Sequence, residues 1–296
     1  MNTLSPKNKK RIAIIKGGER YSARTEEDAA HLRSRIISAG YDVLDIHHVS
    51  DNVYLHEGKE KEPHAILPYA DAVIDLSNSV RKHNKLSRHM FESVLTTVDT
   101  VRMLSQMNIS TPRSAVIRMT DSNNLDNIMY DIWRTMHTPL IIKCNHSKYP
   151  SLLTFNYDEA YHYVKFLHDK KSDAVVCEYI EGDKFMVTVI PNFRGESYYS
   201  PIPLYITRPK YDLSPHHESS NMASSSHANI AEAAKAVSKG IHQKMGLNSP
   251  ATYEFVSNKN KMHLVSMKTK LDFHPDSKFS KSLGTTGIHV GHLYRC

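Results

Sequence analysis

Two apolar stretches carry most of the residues that could do chemistry. Val175 to Ile190 reads VVCEYIEGDKFMVTVI and sets Glu178 and Lys184 among β-branched and aromatic residues. Ala251 to Thr269 reads ATYEFVSNKNKMHLVSMKT, with Glu254 in its first half and Lys268 near its end. Gly182 turns the first stretch and Asn258 to Asn260 the second, so each reads as strand, turn, strand. Lys143 follows three apolar residues in Pro139 to Cys144, PLIIKC. A carboxylate in such a strand can serve a hard cation. Lysine only donates hydrogen bonds, which suits a phosphate or a carboxylate. An exposed lysine at a strand end is also an ordinary surface residue, so position alone weighs little for Lys143.

Other polar groups are less specific. Gly17-Gly18, between a strand and a helix, could present backbone N–H groups to an anion; a plain tight turn reads equally well. His216, His217, His227 and Glu218 lie in the Ser- and His-rich stretch Tyr211 to Asn229. Their spacing fits no standard metal site, and the stretch reads as a mobile polar loop. Cys144, Cys177 and Cys296 lack metal-ligand spacing and read as reduced thiols.

The elements that must position these groups follow the chain in order. Arg11 to Lys16 is a short buried strand. A helix runs from about Thr25 to Ala39 and is closed by Gly40. Tyr41 to Val49 and Ala72 to Leu76 are further strands. Strand, turn, helix, strand makes a βαβ unit on a parallel sheet. Later helices are predicted at about Phe91 to Met107, Asp126 to Met136, Asp158 to His168 and Ala228 to Met245. Strands are predicted at Ser114 to Arg118 and Pro139 to Cys144, and a hairpin turning at Asn192 to Gly195.

At 296 residues, 40% hydrophobic and 23% charged, the chain suits a globular protein of two or three subdomains. No apolar run is long enough to span a bilayer. The basic start, MNTLSPKNKKR, leads into a strand rather than a signal-peptide core, so the expected location is cytoplasmic. The net charge of +7 favours anionic partners, but it is spread along the chain, which makes nucleic acid an unlikely one.

The motifs together resemble the ATP-grasp superfamily, and within it the D-alanine–D-alanine ligases. The resemblance rests on Gly17-Gly18 after the first strand, "STP" at Ser110 to Pro112, "IIK" ending at Lys143, "EYIEG" at Glu178 to Gly182, and "TYEF…MKT…S" from Thr252 to Ser277. It implies an N-terminal parallel-sheet α/β domain over residues 1–79. A two-subdomain α+β ATP-grasp fold would follow, with a central part over 80–176 and a C-terminal part over 177–296. It also implies ATP and Mg²⁺ as cofactors, and a homodimer.

By the same resemblance, Lys143 and the flap residue Ser147 would meet phosphates, and Glu178 and Ile180 the adenine. Tyr211 and Ser277 would lie near the substrate, and Glu254 would be the first metal carboxylate. Several positions depart from the family. Ser22 stands where a substrate-binding glutamate is expected, Asn78 for a histidine and Thr252 for an arginine. Lys184 replaces the ribose carboxylate, and a solvated strand residue is the preferred reading there. Ser266 and Lys268 replace a metal-ligating glutamate and asparagine, and the flap over 145–151 contains no glycine. Two functions therefore stay open. One is a divergent ATP-dependent ligase joining an amino acid or small carboxylate to an amine through an acyl phosphate. The other is a non-catalytic relative binding a nucleotide, an anion or a protein, with Lys268 and Lys270 in the vacated metal site.

Overall fold

A computed structural model describes residues 10–17, 23–38, 40–50, 53–66, 69–70, 72–76, 97–107, 109–145, 149–213, 218–223, 227–258, 261–269, 271–289 and 293. Three sheets organise them. The first takes the order β4-β3-β2-β1-β5. Its strands are β1 (Arg11–Gly17), β2 (Asp42–Ser50), β3 (Val53–His56), β4 (Lys59–Lys61) and β5 (Ala72–Asp75), with helices α1 (Ala23–Ser38) and α2 (Pro63–Ile66) in the connections. β1 pairs in parallel with both β2 and β5. A parallel central strand is covered on both faces, which explains the unbroken apolar run Ile12 to Ile15. Ile12 and Ile14 pack under Ala29, Leu32 and Ile36 of α1. Ala13 and Ile15 face Ile46, Tyr54, Ile66 and Val73.

The predicted βαβ unit is present, and the sheet is wider than the sequence suggested. β3 and β4 add an antiparallel edge. β4 is Lys-Glu-Lys and fully exposed. Such a strand carries no alternation to read, and its charges blunt an edge that would otherwise invite pairing.

The second sheet runs β6-β9-β7-β8. It follows α3 (Thr97–Ser105) and consists of β6 (Ser114–Ile117), β7 (Leu140–Cys144), β8 (Leu152–Thr154) and β9 (Ala174–Glu178), with α4 (Leu125–Thr135) and α5 (Tyr157–Asp169) in its connections. Met129 and Ile132 of α4 and Ala160, Val164 and Leu167 of α5 bury Leu140, Ile142 and Val176.

The third sheet takes the order β13-β12-β10-β14-β15, with β11 paired to β10. It comprises β10 (Asp183–Phe193), β11 (Glu196–Tyr199), β12 (Leu204–Thr207), β13 (Ser219–Met222), β14 (Ala251–Asn258) and β15 (Lys261–Lys268), with helices α6 (Ala228–Lys244) and α7 (Lys278–Gly284). Val187, Val189, Tyr253 and Phe255 share one core with Ala234 and Ile241 of α6. Met186, Leu204 and Ile206 form a separate apolar group. Ile190 and Phe193 join the core of the first sheet together with Phe279 and Leu283 of α7. β13 corrects the expectation of an unstructured loop over 211–229. Ser219 to Met222 has no strand propensity of its own; pairing with β12 supplies its backbone hydrogen bonds.

α6 also buries a titratable pair. His242 is fully buried, and its Nδ1 lies 2.9 Å from the Tyr253 hydroxyl. Burial pushes the imidazole from 6.5 down to about 4 and the Tyr253 phenol upward. The native state keeps His242 neutral, whereas the unfolded chain takes up a proton below about pH 6.5. Stability at His242 is therefore complete above that pH and falls toward about pH 4. Between pH 7 and pH 5 the loss is about 2 kcal/mol. Urea unfolding at the two pH values, repeated with His242→Asn, should show that share of the pH dependence disappear; an unchanged slope would assign it to other groups.

Candidate functional site

The chemistry-bearing residues gather on the third sheet because of strand register. Lys184 of β10 stands opposite Val256, and Met186 opposite Glu254. Lys184 and Glu254 are thus diagonal neighbours on one face, a separation that long side chains bridge. Glu254 stands opposite Ser266 and Thr252 opposite Lys268, so Lys268 is the matching diagonal neighbour on β15. Alternation sends Val187, Tyr253 and Phe255 to the α6 core and leaves the charged residues on the other face beside Met186, Leu204 and Ile206.

Register shifts between the Glu254–Ser266 and Phe255–Leu264 pairs, leaving Val265 unpaired as a β-bulge. Its carbonyl accepts from Lys143 Nζ at 3.2 Å, which ties the end of β7 to β15.

Two carboxylates and four cations form the centre. Glu254 is 3.2 Å from Lys184, 3.7 Å from Lys278 and 3.8 Å from Lys268. Glu218, next to the start of β13, is 3.2 Å from Lys184 and 3.4 Å from Arg208, and pairs with Lys278. The side chains of Glu218, Glu254 and Lys184 are only 6%, 10% and 10% exposed, against 58% for Lys268. Burial would raise both carboxyl pKa values. At Glu254 the ammonium groups of Lys184, Lys268 and Lys278 outweigh it and hold the group well below the ordinary range; at Glu218, Lys184 and Lys278 outweigh it and lower the pKa. Both glutamates are therefore ionised, and the cluster carries a surplus of two positive charges.

This corrects the preferred reading of Lys184 as a solvated strand residue. It faces two carboxylates and is nearly buried. Arg208 and Lys278 had no place in the sequence-based site, and Glu218 entered only with His216, His217 and His227 as a set whose spacing fits no standard metal site. Lys184 and Glu218 are 34 residues apart and Glu218 and Lys278 are 60 apart, so no local spacing links them.

The remaining candidates are distributed as follows. Glu178 ends β9 and accepts from the His137 backbone N–H at 2.9 Å. Ile180 lies half-buried in the linker between β9 and β10. Tyr211 takes a positive φ of 60°. Its ring is 5.1 Å from Phe155 and 5.5 Å from Tyr179, with Lys210 Nζ 4.8 Å above it. Ser277 caps α7, accepting from Ser280 N–H and donating to the Asp272 carbonyl. Ser22 and Ser147 lie outside the described residues, as do Asn78 and Lys270.

The cluster is poorly suited to Mg²⁺. That ion needs near-octahedral oxygen ligands. Glu254 already faces three ammonium groups, its cross-strand neighbour is Ser266, and Lys268 would repel the ion. Among the described residues, no group of three or more His, Cys, Asp or Glu side chains could hold a metal. No helix among them is long and apolar enough to cross a membrane.

Comparison with solved structures defines the class: this is the ATP-grasp fold in its D-alanine–D-alanine ligase form. The chain is similar to D-alanyl-alanine synthetase A from Vibrio cholerae O1 biovar eltor at a TM-score of 0.75 and 11% identity, over 97% of this chain and 96% of that one. It is similar to the D-alanine–D-alanine ligase from Coxiella burnetii at 0.74 and 14%, over 97% and 92%. The Bacillus anthracis ligase complexed with ATP gives 0.66 and 13%, over 96% and 94%. No protein-family model matches the sequence. A search of curated proteins finds no match either. At these identities the likeness is one of fold.

Proposed function

We propose that this chain binds the polyphosphate of a nucleotide, or a related polyanion, on an ATP-grasp frame without Mg²⁺ and without ligase turnover. One observation carries the reading. Glu254, the position that resembles the first metal carboxylate, is engaged by three ammonium groups. Fixed cations would then take the place of the ion in offsetting phosphate charge. Lys143, Lys184 and Lys268 are the phosphate-side residues on this reading, with Ser147 in the flap. The linker with Glu178 and Ile180, flanked by the rings of Tyr179, Tyr211 and Phe155, is the base side, since exposed aromatic faces suit a planar ring. The ATP complex of the Bacillus anthracis ligase supports ATP as the first nucleotide to test.

The second reading is a divergent carboxylate–amine ligase acting on an amino acid or small carboxylate, and the likeness to ligase structures favours it. It must supply transition-state charge stabilisation with Thr252, Ser266 and Lys268 in place of an arginine, a glutamate and an asparagine. Removing even one donor of that kind costs roughly 3–4 kcal/mol of barrier.

Calorimetry with ATP, with and without Mg²⁺, separates the two, run beside a phosphate-release assay. Equal affinity in both conditions with no phosphate release is the expected result. Tighter binding with Mg²⁺ and turnover abolished by Glu254→Gln would overturn the proposal in favour of the ligase. Absence of ATP binding in either condition would refute the nucleotide reading.

A further inference from the structure

Glu218 is placed differently from every other member of the cluster. It adjoins β13, an edge strand with largely exposed side chains. Yet its carboxylate reaches inward until its side chain is 6% exposed. There it collects Lys184 from β10, Arg208 from beyond β12 and Lys278 from the first position of α7. One carboxylate needs one cation. Two of these three are shared with Glu254, which has Lys268 as well. A guanidinium and two ammonium groups converging on two oxygens form an arrangement suited to a phosphoryl group, with its higher charge and third oxygen.

We propose that Glu218 is a tethered competing anion: the cradle of Lys184, Arg208 and Lys278 is an oxyanion site for a phosphate-class ligand, and Glu218 must be displaced for that ligand to bind. This rests on the reading of the site as Mg²⁺-independent and anion-binding, and it adds a specificity device. A tethered carboxylate acts at an effective concentration in the millimolar range or above. A monoanion such as acetate offers the cations nothing that Glu218 does not, and is rejected. A phosphoryl or pyrophosphoryl group brings two or more charges and displaces it. Glu218 thereby sets both the threshold for binding and the class of anion admitted. The bland alternative is an ion cluster that serves only to join β13 and α7 to the sheet.

The test uses the full chain, its Glu218→Gln and Arg208→Gln variants, and three Mg²⁺-free probes: pyrophosphate, ATP and acetate. Glu218→Gln keeps the shape and removes the charge. Calorimetry should show pyrophosphate binding at least tenfold tighter in Glu218→Gln than in the natural chain, and at least tenfold weaker in Arg208→Gln. Thermal unfolding gives a second readout if Glu218→Gln is fragile. Its midpoint should lie below that of the natural chain, and pyrophosphate should raise it by more degrees than it raises the natural one. Acetate should stabilise Glu218→Gln alone. Binding by the natural chain of ATP and pyrophosphate, with affinity unchanged or lower in Glu218→Gln, would overturn the role of Glu218 and leave the anion-binding reading standing. Failure of the natural chain and of Glu218→Gln to bind either phosphate probe would overturn both. Comparing pyrophosphate with ATP shows whether the occupant is a free phosphate anion or the phosphates of a nucleotide.

Discussion

Replacing Lys184 with methionine is expected to lower the unfolding free energy by more than a surface pair contributes, yet by less than the roughly 3–5 kcal/mol of deleting the sole partner of a buried charge, because Arg208, Lys278 and Lys268 stay with the two carboxylates. The side chain is 10% exposed and lies 3.2 Å from each of Glu218 and Glu254. Methionine matches its length and apolar stem, so packing is nearly conserved and the loss reports charge. Two ionised carboxylates would remain in a poorly solvated place, served by Arg208, Lys278 and Lys268 alone. Lys268→Met is the control. At 58% exposure and 3.8 Å from Glu254, it should cost less than about 1 kcal/mol. Adding Glu254→Gln to Lys184→Met should recover part of the loss, because the two sites are coupled.

Acid should act on the same network. Glu218 and Glu254 have depressed pKa values in the folded state, so their contribution is complete above the ordinary carboxylate value and is lost as pH falls toward the folded values. Urea unfolding of the four proteins at pH 7 measures the first set of differences. A Lys184→Met loss no larger than that of Lys268→Met would mean that the buried cluster contributes no more than a surface pair.

Gly182→Ala should cost roughly 3 kcal/mol, the upper end of what an overpacked methyl causes. Gly182 has φ +157°, and a Cβ there would sit 2.1 Å from the Ser257 carbonyl oxygen and 2.8 Å from its carbon. The obstacle is backbone, so no rotamer change relieves it. Asp183 pairs with Ser257 at the start of β10, and Lys184 is the next residue. Separating the strands there would also disturb the contacts of Lys184, so anion binding should weaken together with stability. Gly240→Ala in α6 is the opposite case. Nothing lies within 4 Å of a Cβ there, and alanine should stabilise the helix by about 1 kcal/mol. Thermal and urea unfolding of the two variants would show it; equal effects would refute the clash.

Most of the fold could be read from local pattern. The apolar run of β1, the helical spacing of α1 and α5, and the apolar strands on either side of Asn258 are each local patterns that a short window contains. The strands that escaped, β3, β4, β8 and β13, are only three or four residues long, too short to show a period, and pairing with neighbouring strands holds them. Glu254 and Lys268 could be placed as neighbours on paired strands because a hairpin brings its own residues together.

Two structural roles of predicted site residues also had no local signature. The carboxylate of Glu178 is bonded to a backbone N–H 41 residues away. Lys143 reaches a carbonyl that is free only because Val265 bulges from β15.

By itself the sequence determined which residues are apolar, where the chain turns, and that lysine stands at positions where the resemblance leads one to expect acidic or amide groups. Tertiary structure alone decided the electrostatics. Whether a lysine on a strand is solvated or nearly buried, and whether a glutamate serves a metal or an ammonium group, depends on charges brought from segments 34 and 60 residues away. Coulomb interactions follow distance through space and the loss of water around each group, and neither quantity is encoded in residue order until the sheets have assembled.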